Sequence, residues 1–233
     1  VTAPFYVSPE QLMKDRADYA RKGIARGRSL VASVYAAGVL LCAENPSRTL
    51  RKVSEIYDRI AFAGVGKYNE FDQLRIAGVR AADLKGFAFS RGDVDARALA
   101  NQYAQMLGQV FTHEMKPMEV EILVAEVAAV PASAVAQGTD QLFHIRYDGT
   151  LVDQSDFAVL GGDAEAISER LAAGWNGSAD LGAALRTAVG ALAGADRSLG
   201  AGELEVAVLD RDATRRAFRR IDDDAVTDLL AAE

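Results

Sequence analysis

Cysteine occurs once in this sequence, at Cys42, and histidine only twice, at His113 and His144. A lone cysteine cannot close an internal disulfide, which fits a reducing compartment and makes the cytoplasm the expected location. The histidines are far apart and neither has a cysteine nearby, so no zinc site is expected, and no cofactor. No apolar stretch approaches the roughly 18 residues that span a bilayer, so no membrane partner is expected. The first residues lack a basic start followed by an apolar run, so they do not read as a secretory signal. With a net charge of −7 and no basic stripe, nucleic acid is not an expected partner. "GVGKYNE" superficially resembles a phosphate loop, but the spacing is wrong and Tyr68 stands where Ser or Thr is required.

What is present is ordinary globular composition: 233 residues, half of them apolar and a quarter charged. A chain of this length can bury roughly 70–75% of its unfolded surface in one domain. Ser8-Pro9-Glu10-Gln11 opens a helix, with Ser8 as cap, Pro9 in the first turn and Gln11 reaching back as a capping box. Met13, Ala17, Ala20 and Ile24 share one face, and Gly23 is the expected stop. That face is thin and alanine-rich, so the helix needs a surface to lie on.

Two short β-rich runs follow, Leu30 to Tyr35 and Val39 to Ala43, joined by a turn at Ala36-Ala37-Gly38. Ile56 to Val65 is another apolar run, and residues 67–80 turn helical. "DVDARALANQYAQMLGQVFTHE" is the clearest long helix, and Val120 to Val127 reads as a strand. After a looser stretch at 129–140, Asp148-Gly149 signals a hairpin, and helices are expected near 163–173 and 178–193. "ELEVAVLD" and "RRAFRRI" read as the last strands, the second as an edge strand guarded by its arginines. "DDDAVTDLLAA" reads as an acid-capped closing helix. Strands, two helices, strands, two helices, strands make a layered α+β domain with helices covering both sides of stacked sheets.

That order, led by a capped helix, resembles the α subunits of the proteasome. "SPEQLMKDRADYARKGIARG" is similar to the family's N-terminal signature, through Ser8, Pro9, Tyr19, Ala20, Arg21 and Gly27. "AENPSR", "KVSEIYDRIAFAGVGKYNEFDQLR", "VEILVAEV", "YDGTLVD", "ELEVAVLD" and "RRAFRRI" resemble its actinobacterial branch. The resemblance implies a four-layer αββα sandwich, the N-terminal-nucleophile hydrolase fold, over residues 28–233. Residues 1–27 would form a gate segment and an extra N-terminal helix. It further implies a heptameric ring of identical subunits, stacked on proteasome β subunits and docked by a ring-shaped ATPase. Unfolded proteins, delivered through the Pup-proteasome pathway, would be the substrates. The family's leading helix packs at the ring surface, where neighbours complete its burial.

In the related β subunits a free N-terminal threonine attacks, helped by its own amine, a lysine and a carboxylate. On that pattern Glu44 falls at the carboxylate position and Lys52 at the lysine position, while Arg28 takes the threonine's place. Thr2 lies more than two dozen residues before the first strand and is not expected to substitute. No catalytic residue is therefore expected. The resemblance instead gives Lys52 the terminal carboxylate of an activator's tail, with Gly66 and Arg21 in the same pocket between subunits. It points to Phe5 and Tyr6 as pore contacts and to Pro9 and Tyr19 as supports of the gate. The Tyr-Asp-Arg triplet of archaeal and eukaryotic gates is missing. A surface role for Lys52 is the bland alternative. For the whole chain the alternatives are an active N-terminal-nucleophile amidohydrolase, and a proteasome-like ring without a protease partner.

Overall fold

The strand Gly38–Glu44 (β2) is buried at every residue, so both faces of its sheet must be covered. Val39, Leu41 and Ala43 enter one apolar cluster and Leu40 and Cys42 another. That alternation is the signature of a central layer, with side chains of successive residues leaving opposite faces. The computed structural model describes residues 8–128 and 139–232.

Within them, helix Pro9–Ala25 (α1) leads into Leu30–Tyr35 (β1) and β2. The hairpin Val53–Tyr57 (β3) and Ile60–Gly66 (β4) is followed by helices Tyr68–Ala88 (α2) and Ala96–His113 (α3). Strands Val120–Glu126 (β5), Gln141–Ile145 (β6), Leu151–Gln154 (β7) and Phe157–Leu160 (β8) come next. Helices Ala164–Gly174 (α4) and Leu181–Ala193 (α5), strands Leu204–Asp210 (β9) and Phe218–Ile221 (β10), and helix Asp223–Ala231 (α6) complete the chain. One antiparallel sheet runs β10-β9-β2-β1-β8, the other β3-β4-β5-β6-β7. Leu41, Ala63, Leu123 and Leu209 belong to the core between the sheets. Leu185 and Leu192 of α5 cover the outer face of the first sheet, and Leu74, Tyr103 and Leu107 of α2 and α3 cover the second. The result is the αββα sandwich expected above.

Three local expectations need correction. The apolar run Ile56 to Val65 is two strands, because Asp58-Arg59 turns between them. Arg59 ties that turn down by donating to the carbonyls of Val127, Ala213 and Arg211 at 3.0–3.1 Å. Gly23 does not stop α1, which continues to Ala25. A β-carbon there would lie 2.2 Å from the Glu119 carboxylate, so this glycine admits close packing instead. Ser8 does cap the helix, its Oγ accepting from the Gln11 amide at 3.2 Å, but Gln11 donates its side chain to Asp15 and the box stays half-made. The remaining turn and cap signals hold: β10 lies at a sheet edge, and Asp222 caps α6.

Two glycines on the helical layers test the packing. A β-carbon at Gly78 would fall 1.7 Å from the hydroxyl of buried Tyr103, whereas nothing lies within 4 Å of one at Gly190 in α5. Gly78→Ala is expected to destabilise the chain by ~1–3 kcal/mol through overpacking. Gly190→Ala is expected to stabilise it by ~0.5–1 kcal/mol through helix propensity. Urea unfolding midpoints of the two variants check the opposite signs.

Candidate functional site at the start of β1

Four charged side chains converge just before β1 begins. Lys52, one residue before β3, donates its Nζ to the Arg28 carbonyl at 2.5 Å. Glu44, at the end of β2, is 4% exposed. Arg28 donates to one of its oxygens, and Arg197 grips both, at 2.9 and 3.1 Å. The strands bring these residues together through pairing, with Leu30 opposite Ala43 in β1–β2 and Val53 opposite Ala63 in β3–β4.

The electrostatics follow from burial and partners. Burial alone would raise the Glu44 carboxyl, but the hydrogen bonds from Arg197 and Arg28 outweigh it and hold its pKa below the usual carboxylate range. Burial pushes the Lys52 ammonium down to about 8, against the favourable fields of Glu44 and Glu205. Glu205, 3% exposed in β9, was not singled out from the sequence. It accepts from the Lys52 and Val53 amides at 2.8 and 3.3 Å, from Asn45 at 2.8 Å and from Arg220 at 2.5 Å. Asn45 in turn donates to the Leu50 carbonyl at 2.8 Å, so this buried carboxylate shapes the loop that carries Lys52. A charge inside the apolar run "ELEVAVLD" was the available signal.

The arrangement cannot perform N-terminal-nucleophile chemistry. That reaction needs a hydroxyl and a free amine on one residue at the strand's start. Arg28 offers a guanidinium engaged by Glu44, and its nitrogen is in a peptide behind Gly27 and α1. The cleft beside it, about 580 Å³, is lined by Arg26, Arg28, Arg170 and Arg197 along with Glu44. Cys42 is no substitute, since complete burial pushes its thiol up to about 12. Among the described residues no group of three or more His, Cys, Asp or Glu could hold a metal ion.

The other site residues are distributed around α1. Gly66 has φ +107°, and a β-carbon there would lie 2.0 Å from the Glu119 carbonyl, so the chain passes too closely for any side chain. With Tyr19, Gly23, Arg26, Gly27, Lys67 and Glu119 it lines a cleft of about 450 Å³. Arg26 and Lys67 are cations of this cleft that the sequence reading omitted. Lys116 sits 5.6 Å from the centre of the Tyr19 ring. Pro9 occupies the first turn of α1. Arg21, two residues and about 200° around the helix from Tyr19, is on another face. It reaches toward Tyr147, 5.9 Å from the ring centre, and lines a separate cleft with His144 and Glu121. One copy therefore brings Tyr19 and Gly66 together and keeps Arg21 apart from them. Phe5 and Tyr6 lie outside the described residues, as does Thr2.

Lys52 gives a pH test. Its pKa is about 8 in the folded chain and near 10.4 when unfolded. The unfolded state thus binds more protons between these values, and stability rises with pH across that window. Relative to Lys52→Met, the wild-type chain is expected to gain stability from pH 8 to pH 10. Chemical unfolding at a series of pH values measures the difference, and a flat difference contradicts it.

Residues 24–209 match the family model described as proteasome subunit. A protein named proteasome subunit alpha from Acidimicrobium ferrooxidans is 60% identical over 230 residues, covering 99% of this chain and 97% of that protein. Its namesakes from Sanguibacter keddieii and Xylanimonas cellulosilytica are 55% and 56% identical, covering 100% and 97% of this chain and 91% and 95% of their own. With a blocked arginine where a nucleophile would stand and a likeness that runs the length of the chain, it belongs to the proteasome subunit family, as a noncatalytic α-type member.

Proposed function

We propose that this chain forms the outer heptameric rings of a 20S core, stacks on β subunits, restricts access to the pore and docks a ring-shaped ATPase. The observation that carries the reading is Lys52: an ammonium at the start of β1, held by one carbonyl, with no nucleophile beside it to serve. With a pKa of about 8 it is mostly charged at neutral pH. A point charge of this kind suits a terminal carboxylate, and such a contact is worth roughly 1.5–3 kcal/mol. The neighbouring cleft, with Gly66, Arg26 and Lys67, could take the rest of an incoming tail. Unfolded proteins directed through the Pup-proteasome pathway, in the cytoplasm, are the proposed substrates.

Exposed apolar surface supports a partner on the α2–α3 layer. Leu84, Phe87 and Phe89, at the end of α2 remote from α1, are 69%, 91% and 77% exposed. Clustered large side chains of this kind mark interaction surfaces, and we assign this one to the stacked β ring. Tyr19, 48% exposed, and Pro9 would support a gate formed by residues 1–7, with Phe5 and Tyr6 as its apolar contacts.

Electron microscopy of the chain co-expressed with a β-type subunit tests the assembly: stacked seven-membered rings are expected, and separate monomers would refute it. In assembled particles, Lys52→Ala is expected to leave the rings intact and abolish stimulation by the ATPase; undiminished stimulation counts against the tail site. Deleting residues 1–7 is expected to raise the hydrolysis of small peptides several-fold. An unchanged rate would remove the gate from this reading.

A further inference from the structure

The four arginines of the 580 Å³ cleft beside β1 are not loose surface side chains, because three of them are held from behind. Arg28 donates through Nη1 to Glu44. Arg197 grips both Glu44 oxygens and also donates to the Leu192 carbonyl at 3.1 Å. Arg170 reaches from α4 to donate its Nε to the Ala191 carbonyl of α5 at 2.8 Å. Gly194 follows α5 with φ +68°, and a β-carbon there would lie 3.6 Å from the Arg170 guanidinium carbon, so that side chain passes beside bare backbone. Among the described residues, both Nη groups of Arg170 and the Nη2 of Arg28 donate to nothing. Arg26, just past the end of α1, has no side-chain hydrogen bond or ion pair among them.

Three carboxylates share the cleft, Glu44, Asp163 and Asp196. Glu44 is taken up by Arg28 and Arg197. Asp163 precedes α4, but its side chain caps nothing. Neither it nor Asp196 forms an ion pair among the described residues, and both are exposed. Ile167 and Leu192 add apolar wall. The cleft therefore offers fixed guanidinium donors together with unused carboxylate acceptors, in a volume typical of small-molecule sites. A plain anion would be repelled by the two aspartates, and a plain cation by the arginines. A ligand that carries oxyanions and neutral hydroxyl donors satisfies both sets.

We propose that this cleft binds a phosphorylated sugar, its phosphoryl oxygens held by Arg26, Arg28, Arg170 and Arg197 and its hydroxyls by Asp163 and Asp196. A guanidinium is a planar fork that matches phosphate oxygens in pairs, and it keeps its charge at any physiological pH. Forks from several directions suit the three terminal oxygens of a phosphate monoester better than the two of a carboxylate. The start of α4 at Ala164 adds the positive end of a helix dipole on the same wall. Sugar hydroxyls are neutral donors, so they occupy the aspartates without opposing the arginines. Because three guanidinium groups are already held, little side-chain freedom is lost on binding. All six groups belong to one copy, so the site needs no neighbour, and Lys52 does not line it.

Isothermal titration calorimetry of the purified full chain with ribose 5-phosphate, inorganic phosphate and ribose tests the site. Ribose 5-phosphate is expected to bind about tenfold more tightly than inorganic phosphate, and ribose alone to give no binding heat. Arg26→Gln with Arg170→Gln is expected to weaken ribose 5-phosphate by about tenfold or more. Asp163→Ala with Asp196→Ala is expected to abolish the advantage of ribose 5-phosphate while inorganic phosphate binds at least as tightly as before. Circular dichroism and urea midpoints matching wild type show that the variants fold. Should the double arginine variant fail to fold, Arg26→Gln alone, which breaks no internal bond, is expected to lower the affinity about threefold. No binding of ribose 5-phosphate at millimolar concentration, equal affinities for it and inorganic phosphate, or undiminished binding by the folded arginine variants would overturn the proposal.

Discussion

The ion cluster around Arg28, just before β1, governs what this sandwich can do. Glu44 leaves water almost completely at the end of β2 and is tolerable there only because two guanidinium groups hold it. Removing either partner would leave a buried charge underpaired, which typically costs several kcal/mol. Arg28 is thus committed to structure, and it fixes the junction between α1 and the sheet. N-terminal-nucleophile chemistry would need a free terminus at this junction. Here the backbone continues through it, and the lysine that could tune a nucleophile donates to a peptide carbonyl instead.

Layer packing explains why surface chemistry collects at ends and flanks. Both faces of both sheets are consumed by three apolar cores, so strand edges, strand ends and helix backs are what remain for partners. The strand ends carry Lys52 and Gly66, the α2 layer carries the exposed phenylalanines, and the cleft beside β1 carries the arginines. A subunit that must touch neighbours in several directions can separate those contacts spatially without altering its core.

Much of the architecture was legible because its determinants are local. Ser8-Pro9 starts α1, Asp148-Gly149 turns β6 into β7, and Asp222 caps α6, each by a bond within a few residues. Glu205 was not legible, because its partners Asn45 and Lys52 are some 150 residues away in sequence and meet only through sheet pairing. Gly23 was misread for a similar reason: a glycine near a helix end signals a stop, but here the approach of Glu119 from β5's approach loop decides its role. The grouping of Lys52, Gly66 and Arg21 came from resemblance alone. Helical geometry separates Tyr19 from Arg21, so one copy keeps Arg21 on another face.

The central claim is that this chain has no nucleophile at the start of β1 and acts through assembly. Hydrolysis of a fluorogenic peptide by the purified chain alone, and by the same chain reconstituted with a β-type subunit whose N-terminal threonine is processed, measures it directly. No turnover by the lone chain and turnover by the reconstituted particle is the predicted result. Turnover by the lone chain would contradict the account.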